Sequence, residues 1–483
     1  NHADLQGLAQ AHGVSQEDAR AQVRRVQGLA LAFVVGLSGW AVSAAGTIHT
    51  ASADDLTDRK DEVSKEEFRK ACRDYAAGWI DIQREQFKRL GITGDWANRY
   101  ATMDFTSEAA IVAEFHRFKN SGQLYRGSKP VMWSPVERTA LADAEIEYHD
   151  HVSPTIWVKF PVKTYDEDRY SVSDDERGEN VFRLPPNDAS VVIWTTTPWT
   201  LPTNAALAVG PQIQYAVVPA GPEGATADGD RFLLAVDLVG AHARELGYAD
   251  ADAARAAVTE TIPGARLGGL AYAPLFTDVF DAHRGETFTV NGRDLGVEGA
   301  HRILVDDYVS TEDGTGVVHQ APAYGEDDQR VCEANGIPVL LSVDSGARFL
   351  PLFAREDVGR GDLREIAGVQ VFEANRTIIR ALRSLGRLAR EASYEHSYPH
   401  CWRCRTPLIY RAVTSWYVKV TQIKERMLEL NEEITWIPGN VKHGQFGTWV
   451  ANARDWSISR NRYWGSPIPV WESDHPDFPR QEV

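Results

Sequence analysis

The sequence predicts an α/β protein in which a β-rich domain is inserted between two stretches of mixed helix and strand. Three observations carry this. The chain has 483 residues, more than one hydrophobic core fills, and at ~150 residues per domain it suggests about three domains. Up to residue 150 amphipathic helices alternate with short strands, the texture of an α/β layer. From there to about residue 385 the chain turns to short β-type runs separated by turn residues, and after 386 the mixed texture returns. An insertion at a surface loop produces this order.

The composition is that of a globular protein, with 43 % hydrophobic and 25 % charged residues. Lys and Arg number 51 against 68 Asp and Glu, a net charge of -17. That balance argues against a general nucleic-acid coat but leaves room for a local cationic patch. The 4 cysteines, Cys72, Cys332, Cys401 and Cys404, are no disulfide framework, so a reducing, cytoplasmic setting is expected. The uncharged run Gly28 to Ile48, preceded by Arg24 and Arg25, has nearly the length of a membrane span. It is rich in Gly, Ala and Ser, so a buried helix or strand pair is expected there and no membrane partner.

Residues 59–90 place Phe68, Cys72, Tyr75, Trp79, Ile82 and Phe87 at three- and four-residue steps, an amphipathic helix stopped at Gly91. A second helix is expected over 107–120 with Ala110, Ile111, Phe115 and Phe118 inward, ending at Gly122. A short strand, Pro130 to Ser134, follows. Ile156 to Phe160 alternates as a strand, residues 164–190 form an acidic loop, and Ser190 to Trp194 is a buried strand. Further strands are expected at 213–218, 231–236 and ending at His319, with helical signal at 245–257 and after Glu326. A helix over 374–385 turns Ile378, Ile379, Leu382 and Leu385 to one side and stops at Gly386. Beyond it come a turn-rich knuckle over Tyr398 to Cys404, a strand at Trp416 to Val420, and helices at 421–431 and 441–454.

Four constellations carry chemistry. The run Trp194 to Asn204 holds 5 threonines in 9 residues directly after a strand, lining an edge with hydroxyls that donate and accept; a strand that merely favours threonine is the alternative. The run Gly314 to Asp328 ends a strand on His319, turns, and presents Glu326, Asp327 and Asp328. Two of these acids suit a helix N-terminus, and a third is left to hold a cationic amine. Cys401-Trp402-Arg403-Cys404 has the spacing of half a zinc site, and two reduced, semi-buried thiols are the simpler reading. Arg454 to Pro469 gathers arginines and aromatics, including Arg460, Arg462 and Trp464, around a turn, a rim suited to anionic ligand or RNA or a salt-bridged hinge.

These motifs, in this order, resemble the class I aminoacyl-tRNA synthetases of the Ile/Val/Leu group, the isoleucine-specific members above all. The likeness rests on Cys72-Arg73 to Trp79, Gly94-Asp95-Trp96, Tyr100 to Asp104, Tyr125 to Val131, Thr139 to Ala142 through Glu145 to Tyr148, the threonine run, Gly314 to Asp328, Ser415-Trp416-Tyr417, and Asp455 to Pro469. The resemblance implies a Rossmann-like class I catalytic domain, present in part, interrupted by a β-rich editing domain. Residues 1–55 then form an atypical leader unlike the family. Residues 56–151 are the first part of the catalytic domain, 152–385 the editing insertion, and 386–483 a truncated return carrying the Cys-x-x-Cys knuckle. It also implies that Thr195, Thr196, Thr197 and Thr200 line the editing pocket, with Asn204 and Trp199 supporting the substrate. His319 stands beside the bound amino acid, Asp328 pairs with its α-ammonium, and Arg460, Arg462 and Trp464 contact substrate. ATP, Mg2+, isoleucine and tRNA(Ile) are the implied cofactors and partners of an isoleucine–tRNA ligase acting as a monomer, with Zn2+ at Cys401 and Cys404 as half a site. The family's His-x-Gly-His and Lys-Met-Ser-Lys-Ser phosphate signatures are absent from these 483 residues. The expectation is therefore hydrolytic editing without amino-acid activation, the alternative being a non-catalytic tRNA-binding protein.

Overall fold

A computed structural model describes residues 63–163, 189–223, 229–276, 279–356, 358, 361–460 and 464–471. The leader 1–55 with its run at 28–48, the bulk of the acidic loop, and Arg462 lie outside the described residues. The chain divides into two compact units, residues 1–100 and 101–483. In the first, helix α1 (Lys65–Arg89) starts where the Ser64 hydroxyl accepts the Glu67 N–H at 3.1 Å. Glu66 and Glu67 in its first turn and Lys88 and Arg89 in its last complement the helix dipole. Only Phe68 of the expected inner face is buried, while Tyr75, Ile82 and Phe87 are exposed. The periodicity forms the helix, but the described part of this unit holds no second layer to cover it.

The second unit opens with helix α2 (Phe105–Asn120), of which Phe115 is buried edge-on to Trp416, ring centroids 5.9 Å apart. Ala110, Ile111 and Phe118 are exposed, contrary to the sequence expectation. One contact row, rather than a wide stripe, anchors this helix. The strands that follow are β1 (Leu124–Ser134), β2 (Thr139–Ala140), β3 (Ile146–Pro161), β4 (Ala189–Thr195), β5 (Ala206–Val209), β6 (Gln214–Pro219), β7 (Arg231–Ala235) and β8 (Glu260–Pro263). A small hairpin, β9 (Phe288–Val290) and β10 (Arg293–Leu295), precedes β11 (Ile303–Val305) and β12 (Val317–Gln320). Last come β13 (Leu388–Cys401), β14 (Ile409–Val418) and β15 (Trp456–Ser457).

β1 pairs antiparallel with β14, from Leu124 opposite Val418 to Trp133 opposite Ile409, in a sheet of order β15-β14-β1-β2. Sequence on either side of the β-rich segment therefore meets in one sheet. A larger sheet runs β13-β3-β4-β7-β6-β8, and a third runs β11-β5-β12. β3 and β13 are longer than the sequence suggested. They pair from Ile146 opposite Cys401 to Val158 opposite Leu388, a ribbon that enters the large sheet at its far end. Tyr398 to Cys401 is thus strand, and only Trp402 to Cys404 form the turn of the expected knuckle.

The core lies between the two β-rich sheets and helix α4 (Val371–Ser384), with α3 (Glu326–Ala334) against its edge. Ile156, Val158, Phe160, Ile193, Leu207 and Tyr215 are all fully buried. At ~1.5–3 kcal/mol for each such side chain, this region holds most of the hydrophobic stabilisation. Ile378, Ile379 and Leu382 of α4 join it, whereas Leu385 is the C-cap and is exposed. Gly386 then takes φ 66, a left-handed turn that ends the helix. No helix among the described residues is long and apolar enough to cross a membrane.

Candidate functional site

β4 is buried on both faces and delivers Thr195 at its end, after which Pro198–Thr203 coils into a 3-10 turn. Pro198 and Pro202 lack backbone donors, so the turn does not extend the sheet. Side chains satisfy its polar groups instead. The Thr195 hydroxyl accepts the Thr197 N–H at 3.0 Å and lies 3.2 Å from the Thr197 hydroxyl. Thr203 donates to the Thr200 carbonyl at 3.2 Å. Thr196 is half-buried and its hydroxyl has no partner among the described residues. The indole N–H of buried Trp199 likewise has none, while its ring packs edge-on to Tyr324, centroids 4.8 Å apart.

β12 lies antiparallel beside β5 and brings His319 opposite Leu207. There the histidine meets the threonine turn. Its Nε2 is 2.8 Å from the Thr200 hydroxyl, which itself donates to the Thr197 carbonyl at 2.9 Å. Its Nδ1 is 2.9 Å from the Asn204 amide nitrogen. Burial pushes the His319 pKa down to about 3, so the ring is neutral at physiological pH.

Two residues past His319, the Ala321 N–H donates to the Asp328 carboxylate at 2.8 Å. Asp328 is the third residue of α3, whose first turn carries all three acids. Glu326 pairs with Arg454 and Asp327 with Arg330. No Lys, Arg or His among the described residues pairs with Asp328. Burial raises its pKa to about 7, a rise the Ala321 N–H opposes. Gly325 makes the position available, since a Cβ there would sit 2.7 Å from the Asp328 carboxyl carbon. Thr200 and Asn204 thus meet His319 on β12, and Asp328 is held at Ala321, just past the end of that strand. Tyr272, whose hydroxyl donates to the Asn204 side-chain oxygen at 2.6 Å, was not legible as a site residue, because 68 residues and no motif separate the two in sequence.

The other expected site residues lie elsewhere. Arg460 turns its Nη1 onto the Ser457 and Ser459 carbonyls at 3.1 and 2.8 Å, bracing its own turn rather than presenting a fork. Trp464 is exposed. Cys401 is buried and Cys404 half-buried, both free. The Cys404 sulfur lies 3.0 Å from the Thr406 hydroxyl. Among the described residues no group of three or more His, Cys, Asp or Glu could hold a metal ion. The pair supplies two of the four ligands a structural zinc needs.

The family profile of "tRNA synthetases class I (I, L, M and V)" matches residues 12–480. The chain belongs to the class I tRNA synthetases. The match begins inside the leader that looks unlike the family by its motifs. Within the Ile/Val/Leu group the chain is similar to isoleucine–tRNA ligases. It is 48 % identical to that of Leifsonia xyli over 444 residues, covering 89 % of this chain and 37 % of the relative. The Corynebacterium diphtheriae ligase is 42 % identical, with 86 % and 36 % covered, and the Caulobacter vibrioides ligase 41 %, with 87 % and 41 %. The chain thus spans well under half the length of these relatives. Among solved structures, the editing domain of the P. falciparum cytosolic leucyl-tRNA synthetase overlays at TM-score 0.31 and 11 % identity, covering 50 % of this chain and 100 % of that one. An overlay at that score carries no weight in assigning the fold.

Proposed function

We propose that this synthetase chain hydrolyses misattached valine from tRNA(Ile), the editing reaction of an isoleucine–tRNA ligase, with residues 152–385 as the editing domain. The observation that carries this is the Asp328 carboxylate, unpaired by any described cation beside a threonine edge already ordered by His319. An α-ammonium group complements that carboxylate in charge, and an ester linked to a ribose suits a row of hydroxyls. The need is physical: a pocket for isoleucine rejects valine by only one methylene, ~1–3 kcal/mol, so a second sieve is required. Threonine methyls narrow the edge against the larger side chain.

The chemistry follows from the groups present. Water attacks the ester carbonyl carbon, a carbon–oxygen bond to water forms, the bond to the ribose oxygen breaks, and the water's proton ends on that ribose oxygen. A neutral His319 with both nitrogens engaged is not the base. Positioning of water by threonine hydroxyls and by the neighbouring ribose hydroxyl supplies the rate. Isoleucine, ATP with Mg2+, and charging of tRNA(Ile) belong in this reading to the ligase as a whole, a cytoplasmic monomer.

The test is deacylation of Val-tRNA(Ile) and Ile-tRNA(Ile) by the 483-residue chain. Selective release of valine, without ATP–pyrophosphate exchange, is expected. A second reading, tRNA binding without catalysis, draws on the exposed Trp464 and would be favoured by tight tRNA binding with both esters left intact.

A further inference from the structure

The hydrogen-bond network behind the threonine edge has a direction, and that direction decides what the edge offers a ligand. The Ala206 carbonyl accepts from the Asn204 side chain at 2.9 Å, and a carbonyl only accepts, so the amide nitrogen lies on that side. The amide oxygen then faces the Tyr272 hydroxyl, which donates to it at 2.6 Å. Asn204 and Tyr272 are both buried, so no solvent competes for these groups. The amide nitrogen also points at His319 Nδ1, 2.9 Å away. Nδ1 must accept, and the single proton of the neutral ring sits on Nε2. That proton goes to the Thr200 oxygen at 2.8 Å, and the Thr200 proton goes on to the Thr197 carbonyl at 2.9 Å. Every proton from Tyr272 to Thr197 points the same way.

We infer that Tyr272 and Asn204 are positioning residues that hold His319 in its Nε2–H tautomer and so make Thr200 an acceptor-only group toward the ligand. A hydroxyl carries one donor and two lone pairs. Thr200 has given its donor to Thr197 and one lone pair to His319, leaving one lone pair. On the ester-hydrolysis reading, on which the ligand's identity rests, this lone pair receives a hydrogen of the attacking water or of a ribose hydroxyl. It cannot hold the ester carbonyl oxygen. That oxygen requires a donor, which the edge has at the unpartnered hydroxyl of Thr196.

Nitrogen-15 NMR of histidine-labelled chain tests the tautomer without any substrate. Wild-type His319 is expected to show a bare Nδ1 and a protonated Nε2, and a protonated Nδ1 would overturn the inference outright. Tyr272→Phe keeps the ring, which packs edge-on to Phe160 at 5.3 Å, and removes only the hydroxyl. It removes one of the two contacts that set the Asn204 orientation and leaves the Ala206 carbonyl as the other, so both His319 nitrogens should move part of the way toward intermediate shifts. Val-tRNA(Ile) hydrolysis should fall about tenfold in kcat, the scale of one hydrogen bond, with KM little changed. A folded Tyr272→Phe chain with unshifted His319 nitrogens and unchanged kcat would also overturn it. Shifted nitrogens in a chain that hydrolyses neither ester would leave the relay standing and remove the editing reading instead.

Discussion

On the editing reading proposed above, binding and folding pull Asp328 in opposite directions. Its carboxyl titrates near pH 3.8 when free and at about 7 in the folded chain, chiefly through burial. A raised carboxyl pKa means the folded state prefers the protonated form. The stability this group contributes is therefore full below pH ~4 and lost as pH rises through ~7. A substrate ammonium needs the ionised form, so ester binding should strengthen over the same rise in pH. Asp328→Asn keeps an acceptor for the Ala321 N–H and removes the charge. Denaturation should show it ~1–2 kcal/mol more stable than wild type at pH 8 and equal at pH 4. Hydrolysis of Val-tRNA(Ile) should fall ~10–100-fold, the worth of a charge-assisted hydrogen bond, and lose its pH dependence near 7. A destabilised Asp328→Asn with intact hydrolysis would contradict both. At this scale the sequence singled out the threonines, His319 and Asp328 as candidates, against an ordinary strand or helix cap, and the structure brings Thr200 onto His319 and Asp328 onto the Ala321 N–H two residues on. Tyr272 was invisible, since a buried tyrosine among apolar neighbours reads as core until its hydroxyl is seen to have a partner. Arg460 read as a ligand fork only because a sequence does not show that its guanidinium folds back on its own turn.

The elements that carry these residues were legible where local chemistry dictates them. β4, β12 and α4 lie close to where hydrophobic runs, glycine stops and acidic first turns put them. The failures share a cause: α2 and the knuckle at Tyr398 depend on partners distant in sequence. A strand as polar as β13 forms because β3 lies along it, and no local propensity announces that. Gly316 shows how tightly the approach to the site is built. It takes φ 74 just before β12, and a Cβ there would lie 2.4 Å from that of Ala235. Gly316→Ala combines a left-handed backbone cost with an overpacked contact, together about 2–4 kcal/mol. Its melting temperature should drop accordingly, and because β12 holds His319 against Thr200, hydrolysis should fall even at temperatures where the variant is folded. A variant as stable as wild type would show that the turn before β12 relaxes freely.

For the molecule as a whole, the division of labour between segments follows from where apolar surface is covered. Residues 189–384 hold most of the large, fully buried side chains, among them Phe232, Tyr272, Phe280, Phe349 and Phe353, with Trp133, Ile156 and Phe160 joining them from β1 and β3. Outside that stretch Phe105 of α2, Trp449, Trp456 of β15 and Trp471 are exposed. Local opening is cheapest where few apolar contacts must be broken. Brief trypsin digestion should therefore cut within α1, at Arg69, Arg73 or Arg84, and beyond residue 420, at Lys424 or Arg426, well before it cuts between 189 and 384. Mass spectrometry of the resistant fragment, with its deacylation of Val-tRNA(Ile) measured in parallel, checks this. Retained hydrolysis by that fragment is expected, because cuts in α1 and beyond residue 420 leave β3, which pairs with β4 up to Thr195, and β13 in place. Cleavage that begins inside the 189–384 core would mean that buried area is a poor guide to local stability in this chain.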